Sequence, residues 1–361
     1  MLIKRIELTN FRNYESLALN FDAQKTLIIG QNAQGKTNLL ESIYYLSALN
    51  SNRIKKDGEL IRFGENFAQI KAEVFKNDTE IELEVLIQPP KNKVYKVNGL
   101  KKTKTADFIR VLSVVSFSVG DLMLLRGEPS FRRKWLDGAI CQIYPVYSEK
   151  IAKYNKIRLQ KANLLSQYPV NIDMLEIFNQ QLATSGANII FLRNKFLCEL
   201  EKIAAVKHSK IAENEELCFS YDCEYKGSAK EIETALLEAL AAACDDEIRR
   251  AQCLIGPHRD DISFFLNGID AKKFASQGQQ RTIVLALKLS ELEIVREKNN
   301  DTPVLLLDDV LAELDEARQN YLLKGIENDI QTIITCTDTK AFGDEFLKNI
   351  QIVKVLEGKL A

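Results

Sequence analysis

A strand that must end at Ile29 and a helix that must begin by Thr37 constrain this chain most, because Gly30-Gln31-Asn32-Ala33-Gln34-Gly35-Lys36-Thr37 lies between them. The octet fits G-x-x-x-x-G-K-[ST] at every fixed position. The apolar run Thr26-Leu27-Ile28-Ile29 before it reads as a buried strand. Thr37-Asn38-Leu39-Leu40-Glu41-Ser42-Ile43-Tyr44 after it has a helical pattern. A chance glycine-rich turn would not need that setting; a phosphate-binding loop does. Its glycines let backbone N–H groups close around phosphate oxygens, and the helix N-terminus adds positive potential. Lys36 would reach the β- and γ-phosphates, the Thr37 hydroxyl would ligate Mg²⁺, and Gly30 through Asn38 form the candidate nucleotide-binding segment.

A second acidic segment lies far downstream. Pro303-Val304-Leu305-Leu306-Leu307-Asp308 reads as an apolar strand ending in a carboxylate. Beside a phosphate loop, such a strand places Asp308 near the Mg²⁺ shell, and Asp309 would then face an attacking water as base or orienter. A buried strand whose acids cap the next turn is the alternative, and the phosphate loop argues against it. Ser276-Gln277-Gly278-Gln279-Gln280 has the form of a helix N-cap with Gln three residues on.

Length and composition admit two domains, or one with an insertion, in a chain of 361 residues that is 46% hydrophobic and 27% charged. No apolar run approaches a membrane span, and Met1-Leu2-Ile3-Lys4-Arg5-Ile6 lacks a signal-peptide apolar core. The seven cysteines form no C-x-x-C pair. A cytoplasmic protein with reduced thiols, no structural zinc and no membrane partner is therefore expected. With a net charge of −1, any nucleic-acid binding must use a local basic face.

Patterning along the chain predicts β-hairpin material at the start and an antiparallel sheet over residues 65–118, with Asn98-Gly99 as a hairpin turn. Ser148–Ser166 and Met174–Val206 read as helices, interrupted by the alternation Leu217-Phe219-Tyr221-Cys223-Tyr225. A hairpin with Asn267-Gly268 follows from Ile262. Then come a helix over Gly278–Glu297, a strand over Val304–Leu307, a helix near Glu316–Ile326, and strands at Thr332–Thr335 and Ile350–Val355. The fold expected is α/β: a nucleotide domain of mixed β-sheets and flanking helices built from both chain ends (1–120 and 253–361), with a mainly helical inserted lobe (121–252).

Several segments are similar to one family. Ser276–Gln280, ahead of the Leu-Leu-Leu-Asp-Asp strand, resembles the signature motif of ABC-type ATPases. Leu311-Ala312-Glu313-Leu314-Asp315 looks like their D-loop, and Thr335-Cys336-Thr337-Asp338 sits where they carry a switch residue. Asp121 to Asp137, Gly256-Pro257-His258-Arg259-Asp260-Asp261, Leu306 to Asp315 and Leu8 to Tyr14 resemble hallmarks of the RecF family, SMC-related ATPases of bacterial recombinational repair. Val119-Gly120 departs from the family's usual Pro-Glu.

The resemblance implies an ABC-type head and a weak, DNA-stimulated ATPase using ATP and Mg²⁺. Lys36 and Asp309 would be catalytic, and Thr37 and Asp308 would hold the metal. Ser276, Gln277 and Gly278 would cap the ATP of a second subunit in an ATP-dependent homodimer. It further implies binding to single-stranded and duplex DNA and gap junctions in replication-gap repair, with RecR and RecO helping to load RecA. A transporter ATPase subunit and a structural SMC-like scaffold are the competing classes.

Other residues remain open on sequence alone. Lys91, Lys93, Lys96, Lys101, Lys102 and Lys104 could track DNA phosphates or only protect a sheet edge. Arg126, Arg132, Arg133 and Lys134 could hold DNA, pair internally or reach across a dimer. His258 and Arg259 either relay nucleotide state or lie in a turn pinned by Asp260 or Asp261. Trp135 is expected in the lobe core and His208 at the surface. Phe11 and Tyr14 read as packing residues, and Arg12 and Asn13 as candidates for the nucleotide pocket.

Overall fold

The strand Lys25–Ile29 (β3) buries Thr26, Leu27 and Ile28 in succession, as a strand inside a helix-covered parallel sheet must. It pairs in parallel with Ile350–Leu356 (β14) on one side and Thr332–Cys336 (β13) on the other. Val304–Asp308 (β12) and Val114–Ser118 (β8) extend the parallel order. Lys359–Leu360 (β15) adds an antiparallel edge, giving β15-β14-β3-β13-β12-β8. A second sheet, fully antiparallel, has the order β2-β1-β4-β5-β6-β7. Its strands are Leu2–Phe11 (β1), Tyr14–Asn20 (β2), Ala68–Lys76 (β4), Thr79–Ile87 (β5), Val94–Val97 (β6) and Leu100–Lys101 (β7). Asn98-Gly99 turns β6 into β7.

This is a computed structural model, and it describes every residue except 52, 55, 327, 328, 340, 341, 343–346 and 361. The chain divides into two units: Met1–Leu122 with Arg281–Ala361, and Met123–Gln280. The first unit holds both six-stranded sheets. Among the described residues, its α-helices include Lys36–Ala48 (α1), Thr105–Ile109 (α2), Glu316–Gly325 (α11) and all but the first turn of Gln277–Asn299 (α10). Helix α1 has Leu39, Leu40, Ile43 and Leu46 buried at helical spacing.

The second unit is mainly helical. It contains Met123–Arg126 (α3), Pro129–Ile143 (α4), Val146–Leu165 (α5), Ile172–Ser209 (α6), Ala229–Ala242 (α7), Cys244–Arg250 (α8) and Ala271–Phe274 (α9). A small sheet, β11-β10-β9, joins Leu217–Asp222 (β9), Asp261–Leu266 (β10) and Ile269–Asp270 (β11). Trp135 is buried in this unit.

The lobe also has a polar interior. The buried Arg193 makes a two-pronged pair with Asp137 at 2.9 Å each and donates to Pro257 O at 2.7 Å, while Tyr147 Oη donates to Asp137 at 2.7 Å. Removing one partner of such a pair typically costs about 3–5 kcal/mol, because the other charge stays buried alone.

Three features differ from the sequence reading. Residues 65–118 are not one antiparallel sheet: β8 leaves it for the parallel sheet beside β12. Buried Val114, Val115 and Phe117 carry the near-continuous apolar signature of a parallel strand. The hairpin from Ile262 packs with the lobe rather than the C-terminal part of the nucleotide domain, because β10 pairs with β9 over six residues and Phe219 meets Phe264 at 5.6 Å. The second unit therefore runs on to Gln280. Finally, His208 is fully buried, not at the surface, with Glu215 3.6 Å from its Nε2.

Candidate active site

The loop after β3 is shaped by contacts with its neighbours. Gly35 has φ 117°, and a Cβ there would lie 2.6 Å from Asn13 Nδ2 and 2.8 Å from Tyr14 Oη. Only glycine fits both the left-handed backbone and the packing. Tyr14 Oη donates to Gly35 O at 2.9 Å, and Asn13 Nδ2 donates to Gln34 O at 3.0 Å. Burial pushes the Tyr14 phenol well above its ordinary range, so it stays a donor. From the other side, Gly358 N–H donates to Gln34 O at 3.0 Å and Glu357 N–H to Gln34 Oε1 at 2.5 Å. Gly30 lies against β14, where an added Cβ would be 2.5 Å from Val355 O.

Lys36 is 4% exposed, with its ammonium turned back into the loop. Nζ donates to Gly30 O at 2.7 Å and Gln31 O at 3.1 Å. Gln31, Asn32 and Ala33 are exposed, and Ala33 has φ 65°. Asn38 Nδ2 donates to Asn13 Oδ1 at 2.8 Å. Arg12 forks onto Glu41 with two bonds of 2.9 Å, and Ser51 Oγ completes Glu41 at 2.6 Å. Arg12 thus braces α1, and Asn13 braces the loop.

In the parallel sheet, β13 stands between the acidic strand β12 and the phosphate-loop strand β3. The β12 carboxylate nevertheless arrives. Thr37 Oγ1 donates to Asp308 Oδ1 at 2.9 Å, and Thr335 Oγ1 lies 3.0 Å from the same oxygen. Asp309 N–H donates to Thr335 Oγ1 at 2.9 Å. Burial raises the Asp308 carboxyl above its usual range, with the Thr37 and Thr335 bonds working against it. Burial and the Asp309 charge push the Cys336 thiol up to about 11. Thr37 and Asp308 offer hard oxygens at one point, the donor chemistry that Mg²⁺ prefers.

Residues 2–359 match the RecF/RecN/SMC N terminal domain. The DNA replication and repair protein RecF of Agathobacter rectalis is 42% identical, over 98% of this chain and 96% of that one. The chain belongs to the RecF family. The RecF of Thermosynechococcus vestitus is 41% identical over 100% of this chain and 97% of its own length. A solved RecF–ATP structure, described as a recombination mediator in the RecFOR pathway, superposes with a TM-score of 0.91 at 36% identity, covering 99% of this chain and 96% of that one. An SMC head bound to the C-winged helix domain of ScpA shares the fold, with a TM-score of 0.57 at 14% identity over 100% of this chain and 97% of that one. The architecture is therefore the ABC-type ATPase head of the RecF and SMC proteins with a helical lobe.

The segment that resembles the ABC-type signature, Ser276–Gln280, belongs to the second unit. Ser276 Oγ accepts from Gln279 N–H at 3.2 Å, while Gln279 Oε1 accepts from Ser276 N–H at 2.7 Å, a reciprocal cap that starts α10. Ser276 and Gln277 are exposed and Gly278 is half-buried. Arg126 Nε donates to Gln280 Oε1 at 2.6 Å. In the D-loop-like segment, Asp315 caps α11 by accepting from Arg318 N–H at 2.9 Å, and Glu313 pairs with Arg281.

The RecF-like basic run turns inward. Arg132 is buried and forks onto Asp261 at 2.6 and 2.8 Å, and Arg133 donates to Asp260 O at 2.7 Å. His258 and Arg259 lie in a pinned turn, but Tyr154 and the Cys253 carbonyl pin it rather than Asp260 or Asp261. His258 Nδ1 is 2.7 Å from Tyr154 Oη, Nε2 is 3.1 Å from Cys253 O, and Arg259 Nη2 donates to Cys253 O at 3.2 Å. Of the six lysines near Asn98-Gly99, Lys93 pairs with Asp57 and Lys96 with Glu84. Lys91, Lys101 and Lys104 are exposed and Lys102 is half-buried.

Sequence reasoning missed the hydroxyl roles of Tyr14 and Thr335 and the part played by Glu357-Gly358. The Glu-Gly pair carried a turn signal. No local pattern pointed to the two hydroxyls.

Proposed function

We propose that the chain is an ATP-switched DNA-binding protein of recombinational repair. One observation carries this reading: Asp308 Oδ1 accepts from both Thr37 at the phosphate loop and Thr335 on β13. That convergence joins an acidic strand end to a lysine-bearing anion loop, as nucleotide hydrolysis requires. Gly30 through Asn38 would hold ATP, and Thr37 with Asp308 would hold Mg²⁺. When bound, the metal would screen phosphate charge and polarise the terminal phosphoryl group.

The remaining chemistry belongs to the chain itself. Lys36 contributes a fixed cation already desolvated inside the loop. Asp309 supplies a carboxylate to orient or deprotonate water. Ser276, Gln277 and Gly278 offer a hydroxyl, amides and a helix start to an anion presented by a second copy, so ATP would join two subunits and hydrolysis would separate them. The exposed lysines at the β7 edge supply phosphate contacts for DNA, single-stranded or duplex. By likeness to relatives named for replication, repair and the RecFOR pathway, the protein would act at gaps with RecR and RecO to load RecA.

The test measures DNA binding with and without ATP on single-stranded, duplex and gapped substrates, alongside ATP turnover. ATP-dependent DNA binding and slow, DNA-stimulated turnover are expected. DNA binding indifferent to ATP, with no turnover, would leave only a scaffold role.

A further inference from the structure

Asp309 follows the last residue of β12 and has φ 54°, in the left-handed region. Its amide meets the Thr335 side chain: the N–H donates to Oγ1 at 2.9 Å. The same oxygen lies 3.0 Å from Asp308 Oδ1. A hydroxyl has one proton and two lone pairs. A backbone N–H can only donate and an ionised carboxylate can only accept. The proton therefore points to Asp308, and a lone pair receives Asp309 N–H. Other acceptors, Leu307 O and Asp309 Oδ1, are both at 3.5 Å. Thr335 is 1% exposed, so water does not readily replace its bonds.

We propose that Thr335 is a positioning residue for hydrolysis: its hydroxyl fixes the strained backbone of Asp309 and the carboxylate of Asp308 relative to each other. This rests on the ATPase reading above. Thr37 shares Asp308 Oδ1 but would be a metal ligand there in the ATPase reading, whereas Thr335 reaches it from β13. Without the hydroxyl, the Asp309 amide loses its acceptor at the residue whose carboxylate must face water. Small displacements of a catalytic group at this range lower rate more than binding.

Thr335→Val keeps shape and removes the hydroxyl, Thr335→Ala removes bulk as well, and Thr335→Ser restores the hydroxyl. For Thr335→Val, kcat for ATP should fall roughly 10- to 100-fold, with ATP affinity within about 3-fold of wild type. Thr335→Ser should return kcat to within about 3-fold of wild type. If Thr335→Val does not fold, the comparison of Thr335→Ala with Thr335→Ser carries the same test. Unchanged kcat without the hydroxyl overturns the proposal. So does a parallel loss of ATP affinity, or a failure of Ser to rescue. A wild-type protein that neither binds nor hydrolyses ATP is a different result: it overturns the ATPase reading on which the proposal stands.

Discussion

Thr37 donates its hydroxyl proton to Asp308 Oδ1 across 2.9 Å, although 271 residues separate the two in the chain. The bond ties the first turn of α1 to the end of β12. Lys36, one residue earlier, has its ammonium held by Gly30 O and Gln31 O. The cation and the candidate metal-binding hydroxyl thus belong to one helix start, and the carboxylate comes to them from β12.

Lys36→Ala is therefore expected to abolish ATP binding while leaving the fold intact. The loop loses its charge, and two carbonyls lose a donor, a penalty of about 1–3 kcal/mol that a domain of this size tolerates. Equilibrium binding of a fluorescent ATP analogue, with thermal melting as the folding control, decides the matter. Wild-type affinity in a well-folded variant would exclude this loop as the site.

Asp309→Asn should bind ATP normally, turn it over at least about 100-fold more slowly, and accumulate as a dimer. Asparagine tolerates the left-handed backbone of Asp309 as well as aspartate does, so the change isolates the charge. Single-turnover kinetics beside sedimentation would show it. Normal turnover, or loss of binding, would remove Asp309 from the chemical step.

Replacing Lys101, Lys102 and Lys104 together with glutamine should weaken DNA binding and flatten its dependence on salt. Each lost phosphate contact reduces the slope of log K against log salt by about one. A titration at several salt concentrations measures that slope. An unaltered slope would leave these lysines as guards of the exposed β7 edge.

Ser276→Arg places bulk and charge at an exposed helix start that caps α10. ATP binding by the single subunit should persist within about 3-fold, while ATP-dependent dimerisation is lost. Sedimentation with a non-hydrolysable analogue reads both. A variant that dimerises normally would place Ser276 away from the subunit contact.

His258 gives a pH signature. The Cys253 carbonyl can only accept, so Nε2 carries the proton and Nδ1 accepts from Tyr154. Burial first, then the Arg158, Arg259 and Arg133 charges, lower its pKa from 6.5 to about 4, against the Cys253 bond. A base whose folded pKa is depressed leaves stability untouched above the unfolded value. Stability then declines as pH falls from 6.5 towards 4, because only the unfolded chain takes up the proton. Wild type should lose on the order of 2 kcal/mol relative to His258→Gln over that window, read from denaturant melts at several pH values. Parallel pH profiles for the two proteins would contradict a neutral, buried His258.

Much of this architecture was legible because its signals are local. The octet Gly30–Thr37 dictated strand, loop and helix, and Asn98-Gly99 marked its hairpin. Ser276 and Gln279 announced their reciprocal cap. Partner choice was not legible. Nothing within Val114–Ser118 names β12 as its neighbour, and β9 and β10 find each other across a helical stretch. The inward turn of Arg132 was equally hidden, because its partner Asp261 opens β10, 129 residues further along the chain. The link Thr335 makes between the Asp308 carboxylate and the Asp309 amide gave no signal, since a threonine in a buried strand is ordinary until the facing loop is known.

The strand order has a consequence for synthesis. β3 is made well before its two sheet neighbours, β13 and β14, which begin at Thr332 and Ile350. The antiparallel sheet β2-β1-β4-β5-β6-β7 is complete by Lys101, and the whole lobe is complete by Gln280. Until β13 is made, the nascent chain therefore carries an intact phosphate-loop sequence attached to a strand with bare edges. Exposed edges of this kind invite mispairing. The nucleotide site is the last part to close, so a chain halted before β13 emerges would display the motif without being able to form the site.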